Sequence, residues 1–142
     1  MITVRLKQID YDAIVAHAKN GLPNEACGLI AGNIDNDIKT VWKVYLLSNP
    51  DDSPVHFSID PKEQLAVIKD MRASGFTLLG NFHSHPSTPA RPSEEDIKMF
   101  YDSKASYLIL SLAESNPVLK AFGIKDGEAV QQVLEIIEVD DK

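Results

Sequence analysis

The sequence lacks the features that mark several large protein classes. Its single cysteine, Cys27, cannot form an internal disulfide. Residues 1–7 hold no apolar core followed by a small-residue cleavage site, so no export is expected and a reduced, cytoplasmic setting follows. The best uncharged apolar runs, residues 26–31 and 105–113, fall well short of the ~18 residues a membrane-spanning helix needs. Basic charge is also scarce: 14 Lys and Arg against 21 Asp and Glu leave a net charge of −7, with no basic patch to override it. Such a field repels phosphate backbones and anionic lipid, so neither nucleic acid nor a membrane is an expected partner. No repeat, low-complexity tract or Pro/Gly/Ser linker divides the 142 residues, and at about 150 residues per domain they are expected to form one domain spanning 1–142.

What is present suits one ordinary core, since 44% of residues are apolar and 25% charged. Residues 2–6 read as a strand, and Asp10 as the N-cap of a helix with an Ala13, Ile14, Ala18 stripe that stops near Gly21 and Pro23. The small apolar run 25–32 suits a buried strand with Glu25 at its entrance, and 38–47 the next strand after the turn Asp35-Asn36-Asp37. Alternation of Val55, Phe57 and Ile59 predicts a short strand. Asp60-Pro61-Lys62-Glu63 then starts a helix with a Leu65, Ile68, Met71 stripe, which Gly75 ends. Residues 76–82 read as a buried strand running into His83-Ser84-His85-Pro86, and Ser93 to Asp96 as a capping box opening a helix with Ile97, Phe100 and Tyr101. Strands over 107–112, 118–124 and 129–139, the last two joined by an Asp126-Gly127 turn, complete an α/β (α+β) class chain: a mixed sheet flanked by helices.

The chemistry concentrates around two histidines. His83 and His85 are two residues apart, so on an extended segment both imidazoles face the same side and can share a cation. Asp96, from the first turn of the following helix, could add a carboxylate, leaving a His, His, Asp set with an open fourth position. A zinc ion so held keeps a charge of about +1 and draws the pKa of water from about 15.7 towards about 7. A separate carboxylate must then carry the proton to a leaving amine, and Glu25 is the candidate; the Ser93 hydroxyl could stabilise the developing oxyanion. Each residue taken singly has a structural explanation: hydrogen-bonded strand-end histidines, a Ser93–Asp96 capping box, a solvated Glu25. Cys27 with two histidines could be a thiol hydrolase pair, although its small-residue strand favours a buried structural thiol. His17 and His56 read as surface or half-buried side chains, and Arg91 as either a contact to a substrate carbonyl or a solvated side chain.

Together, Glu25, His83-Ser84-His85-Pro86, Ser93 and Asp96 resemble the JAMM, or MPN-plus, metalloprotease motif: Glu, then His-x-His-Pro, six residues, Ser, two residues, Asp. The resemblance covers most of the chain and implies a cytidine deaminase-like MPN fold. It also implies His83, His85 and Asp96 as Zn2+ ligands, Glu25 as general acid/base and Ser93 as oxyanion stabiliser. The implied activity is hydrolysis of the peptide or isopeptide bond after the C-terminal glycine of a ubiquitin-like protein. No long insertion follows Asp96, so the chain is similar to the minimal prokaryotic members, whose partners are ubiquitin-like sulfur-carrier proteins with a C-terminal Gly-Gly tail. Such a tail could add to a sheet edge by main-chain pairing, with residues 48–57 as one wall of its groove. The alternative is a non-catalytic MPN-type module that binds a ubiquitin-like partner without cutting it. Nucleic-acid repair, a third reading, conflicts with the acidic charge balance.

Overall fold

In the computed structural model, which describes residues 1–138, the first strand, β1 (Thr3–Lys7), runs into the first helix, α1 (Gln8–Gly21), with no loop between them. The helix therefore starts before the expected Asp10 cap. Its N-cap is Lys7, which makes no side-chain cap bond, and Asp10 sits inside the first turn, where an acid complements the helix dipole. A hairpin of β2 (Cys27–Asp35) and β3 (Ile38–Leu47) follows, its turn carried by Asn36 at φ 55°. Then come α2 (Pro61–Ala73), β4 (Thr77–His85), α3 (Glu94–Met99), β5 (Ser106–Ser111), β6 (Val118–Lys125) and β7 (Glu128–Ile137). The β6–β7 turn places Asp126 at φ 52° and Gly127 at φ 78°, the two left-handed residues a tight hairpin needs. Val139, the end of the expected closing strand, lies outside the described residues.

Two further expectations fail locally. Residues 55–59 are loop rather than strand, because their backbone bonds go to Asn49 and Ser53 side chains and not to a neighbouring strand. On α2 the buried residues are Val67 and Met71, while Leu65 is 57% exposed. The helix start is as read: Asp60 Oδ1 accepts from Lys62 N at 2.9 Å, and Pro61 is the first helical residue.

The sheet is mixed, as expected, and it closes on itself in the order β1-β3-β2-β4-β5-β6-β7. β1 pairs parallel with both β3 and β7, β4 pairs parallel with β5, and the remaining neighbours are antiparallel. The ring is laddered unevenly: β3 pairs with β1 only through Ile38–Thr40, so from Val41 on its ladder partner among the described residues is β2 alone, and that stretch of β3 leaves an edge where a substrate tail could add. No described helix is long and apolar enough to cross a membrane.

Alternate residues along each strand serve different clusters. Ile30, Phe82, Leu108 and Leu110 pack with Ile14 and Ala18 of α1, whereas Cys27, Leu29 and Ala31 pack with Val67 and Met71 of α2. Tyr107 and Ile109 join Phe100, just beyond α3, in a third cluster. Gly28 permits a close approach: a Cβ there would collide with the Tyr45 carbonyl oxygen and the Phe82 ring. Gly28→Ala is therefore expected to cost at least about 2 kcal/mol, read as a Tm lower by roughly 6 °C in a thermal melt. An unchanged Tm would mean that β2 does not lie this close to β3 and β4.

Candidate metal centre

The register of β2 against β4 builds the site. Cys27 lies opposite His83, and just before it the pairing continues as a side-chain clamp: Ser84 N donates to Ala26 O at 2.9 Å, and Ala26 N donates to Ser84 Oγ at 2.8 Å. Continuing that register puts Glu25 opposite His85. Residues directly opposite in an antiparallel pair share a face, as do residues two apart on one strand, so Glu25, Cys27, His83 and His85 all face one way. The His-x-His-Pro motif leaves position 84 open, and the clamp becomes visible only with the pairing. Ser84→Ala leaves a buried amide without its acceptor and is expected to cost about 1–3 kcal/mol, measurable as a lower Tm.

Asp96 arrives from α3. Ser93 is the N-cap, its Oγ accepting from Asp96 N at 3.0 Å, while Ser93 N donates to Asp96 Oδ2 at 3.0 Å. This capping box turns the aspartate inward. Its Oδ2 lies 3.1 Å from His83 Nε2 and 3.0 Å from His85 Nε2, and the two nitrogens are 3.1 Å apart. All three residues are buried. Capping and convergence thus coexist, and the Ser93 hydroxyl hydrogen is left available because Oγ acts only as an acceptor in the cap.

The donor set fits a divalent cation. His85 Nδ1 lies 2.9 Å from the Pro89 carbonyl oxygen, which can only accept, so Nδ1 carries the hydrogen and a neutral ring presents a bare Nε2 to the centre. Nε2 faces the Asp96 carboxylate oxygen, so the contact calls for a positive charge between them, which a proton supplies in the metal-free protein and a metal ion can replace. The triangle's edges of 3.0–3.1 Å are also near the ~3.3 Å that bonds of about 2.0 Å impose on a tetrahedron. Two nitrogens and a carboxylate leave one position open and accept several divalent metals.

Glu25 is buried, and its Oε1 has no hydrogen-bond partner among the described residues. Burial pushes its pKa up to about 8, opposed by His85 and reinforced by Asp96 and Glu95, which places all three within its electrostatic surroundings. Cys27 is fully buried, its Sγ directed to the Ser48 and Ser58 carbonyls, and burial followed by Glu63, Glu25 and Asp51 lifts its pKa to about 12. A thiol fully buried and turned to two backbone carbonyls is out of a substrate's reach, which argues against the thiol hydrolase alternative.

Several neighbours carry no sequence signature. Phe57 stacks on His83 with centroids 4.6 Å apart and planes at 19°, and Phe100 meets the same imidazole edge-on at 6.4 Å. His56 Nδ1 lies 2.8 Å from Glu95 Oε1, tying the loop before α2 to α3. Of the Val55, Phe57, Ile59 alternation, Phe57 and Ile59 pack against the Cys27 cluster while Val55 is exposed, with no strand involved. His17 is half-buried with Nε2 against the Cys27 and Leu47 carbonyls, and Arg91 is exposed on the loop between His85 and α3.

Residues 7–125 match the family model for prokaryotic homologs of the JAB domain. The chain is 30% identical over 128 residues to the CysO-cysteine peptidase of Mycobacterium tuberculosis, covering 89% of this chain and 86% of that protein. It is 34% identical over 90 residues to a desampylase of Haloferax volcanii, covering 60% and 63%. Among solved structures, a Desulfitobacterium hafniense protein matches with TM-score 0.89 and 50% identity, over 96% of this chain and 94% of that one.

Proposed function

From the premise that the chain belongs to the prokaryotic JAB family, we propose that it is a zinc metallopeptidase acting after the C-terminal glycine of a ubiquitin-like or sulfur-carrier protein. The observation that carries the reading is the convergence of His83 Nε2, His85 Nε2 and Asp96 Oδ2 within 3.1 Å of one another, with the Glu25 carboxyl on the same face. The relatives' names supply the substrate class: one is a CysO-cysteine peptidase, the other a desampylase. The chain acts as one domain, 1–142, in the cytoplasm, where its lone buried thiol stays reduced.

His83, His85 and Asp96 hold the metal. When bound, it supplies Lewis acidity towards water and the scissile carbonyl. Glu25 takes the proton of the attacking water on its carboxylate and delivers it to the leaving nitrogen, since an unprotonated amine departs poorly. Its burial favours the protonated form that delivery requires. Ser93 donates its hydroxyl hydrogen to the developing oxyanion. The tail carrying the Gly-Gly end approaches along the loop of residues 48–57, which also holds the Glu25 backbone.

The test is a fusion in which a ubiquitin-like protein ending in Gly-Gly is joined to a short peptide. The protein purified with zinc should contain about one ion per chain and release the peptide after the terminal glycine. Metal content with tight binding and no cleavage, even in single-turnover incubation, would instead establish a non-catalytic module.

A further inference from the structure

The loop joining β3 to α2 is organised by one side chain, Asn49. Its amide uses every hydrogen-bonding group it has: Nδ2 donates to Glu25 O at 3.0 Å and His56 O at 2.9 Å, and Oδ1 accepts from Asp51 N at 3.1 Å and Ser58 N at 3.3 Å. Glu25 N in turn donates to Ser53 O of the same loop at 2.8 Å. Both backbone polar groups of Glu25 are therefore anchored to this loop and not to the sheet, whose ladder through β2 starts only at Cys27. On its other side Asn49 fixes the carbonyl of His56, the residue before Phe57, whose ring covers His83.

We propose that Asn49 is a positioning residue that sets the Glu25 backbone and the Phe57 cover on His83 relative to each other, and so fixes the general acid/base against the metal centre. The inference rests on the reading of Glu25 as general acid/base. Asn49 acts through the main chain at Glu25 and makes no hydrogen bond to His83, His85 or Asp96. Two donors and two acceptors on one short planar group are what the geometry demands, and among side chains of that length only asparagine supplies them. An aspartate would keep both acceptor bonds, from Asp51 N and Ser58 N, but would set an oxygen against the carbonyls of Glu25 and His56.

Asn49→Ala and Asn49→Asp test this on the zinc-loaded full chain with the Gly-Gly fusion as substrate. A control comes from the same loop: Ser58→Ala removes only the bond from Ser58 Oγ to Asp51 Oδ1 and leaves all four Asn49 bonds intact. The expected result is a kcat lowered about 10–100-fold in both Asn49 variants, with KM within about threefold of wild type. Zinc affinity, titrated with the metal alone, should be unchanged, and amide hydrogen exchange at Glu25 should be faster. Ser58→Ala should keep the wild-type kcat although its Tm falls. The inference is overturned by an unchanged kcat in both Asn49 variants, by a rise in KM alone, or by a kcat loss in Ser58→Ala that tracks Tm. Where Asn49→Ala does not fold, Asn49→Asp and its Glu25 exchange rate decide. Glu25→Gln run in parallel separates the two levels: if it stays active the general acid/base reading falls and this inference with it, and if it is inactive while the Asn49 variants are not, only the positioning role falls.

Discussion

Glu25→Gln is expected to lower kcat by about 10²–10⁴-fold, the range that general acid/base catalysis contributes, while zinc content stays near one ion per chain. The substitution preserves shape and burial but removes the group that carries the proton. It leaves the triangle of His83, His85 and Asp96 untouched, so a variant that lost its metal along with its activity would make Glu25 a ligand. A second readout comes from the metal-free protein. Burial raises the Glu25 pKa from the usual 4.5 to about 8. The folded state therefore binds this proton more tightly than the unfolded chain does, so the stabilisation is complete below about pH 4.5 and is lost as pH rises through about 8. Thermal melts between pH 5 and 8.5 should show a steeper fall for the wild type than for Glu25→Gln. Equal slopes would place Glu25 in solvent.

Chelation is expected to abolish turnover and to lower the Tm. A ligand present at about a thousand times its Kd stabilises the folded state by about 4 kcal/mol, so removing zinc should lower the Tm by roughly 10–15 °C. Asp96→Asn should reproduce most of both effects, because it keeps the side-chain volume within α3 but removes the anionic ligand. Re-addition of zinc should restore the wild type and not the variant. Full turnover after exhaustive chelation would eliminate the metal reading, and with it the reason for three acceptor atoms to meet within 3.1 Å.

The candidate site could be read in the sequence because its parts are local. His83 and His85 lie on one strand, and Ser93 to Asp96 form a turn whose capping geometry is a short-range property. Glu25 is remote in order, yet its place just ahead of a run of small residues marked it as the entrance of a buried strand. What the sequence could not show was which backbone groups the loop before α2 would satisfy. Asn49 and Ser53 take over bonds that the Val55, Phe57, Ile59 alternation suggested would go to another strand. Similarly, Leu65 follows the helical period on α2 but faces out, because Val67 and Met71 supply the contacts with Cys27 and Leu29. Closure of the sheet was also invisible, since the parallel pairing of Thr3–Lys7 with residues 133–137 joins segments at opposite ends of the described chain and leaves no periodic mark on either.

That pairing makes the first strand a keystone. β1 contacts a neighbour on each flank, and the Arg5 guanidinium, with Nε 3.1 Å from Glu135 Oε1, ties it to β7 at the surface. Trimming the chain by a handful of residues at its start would unzip the ring and bare two strand borders at once. The intact protein should therefore stay monodisperse at high concentration, and a version missing residues 1–7 should precipitate.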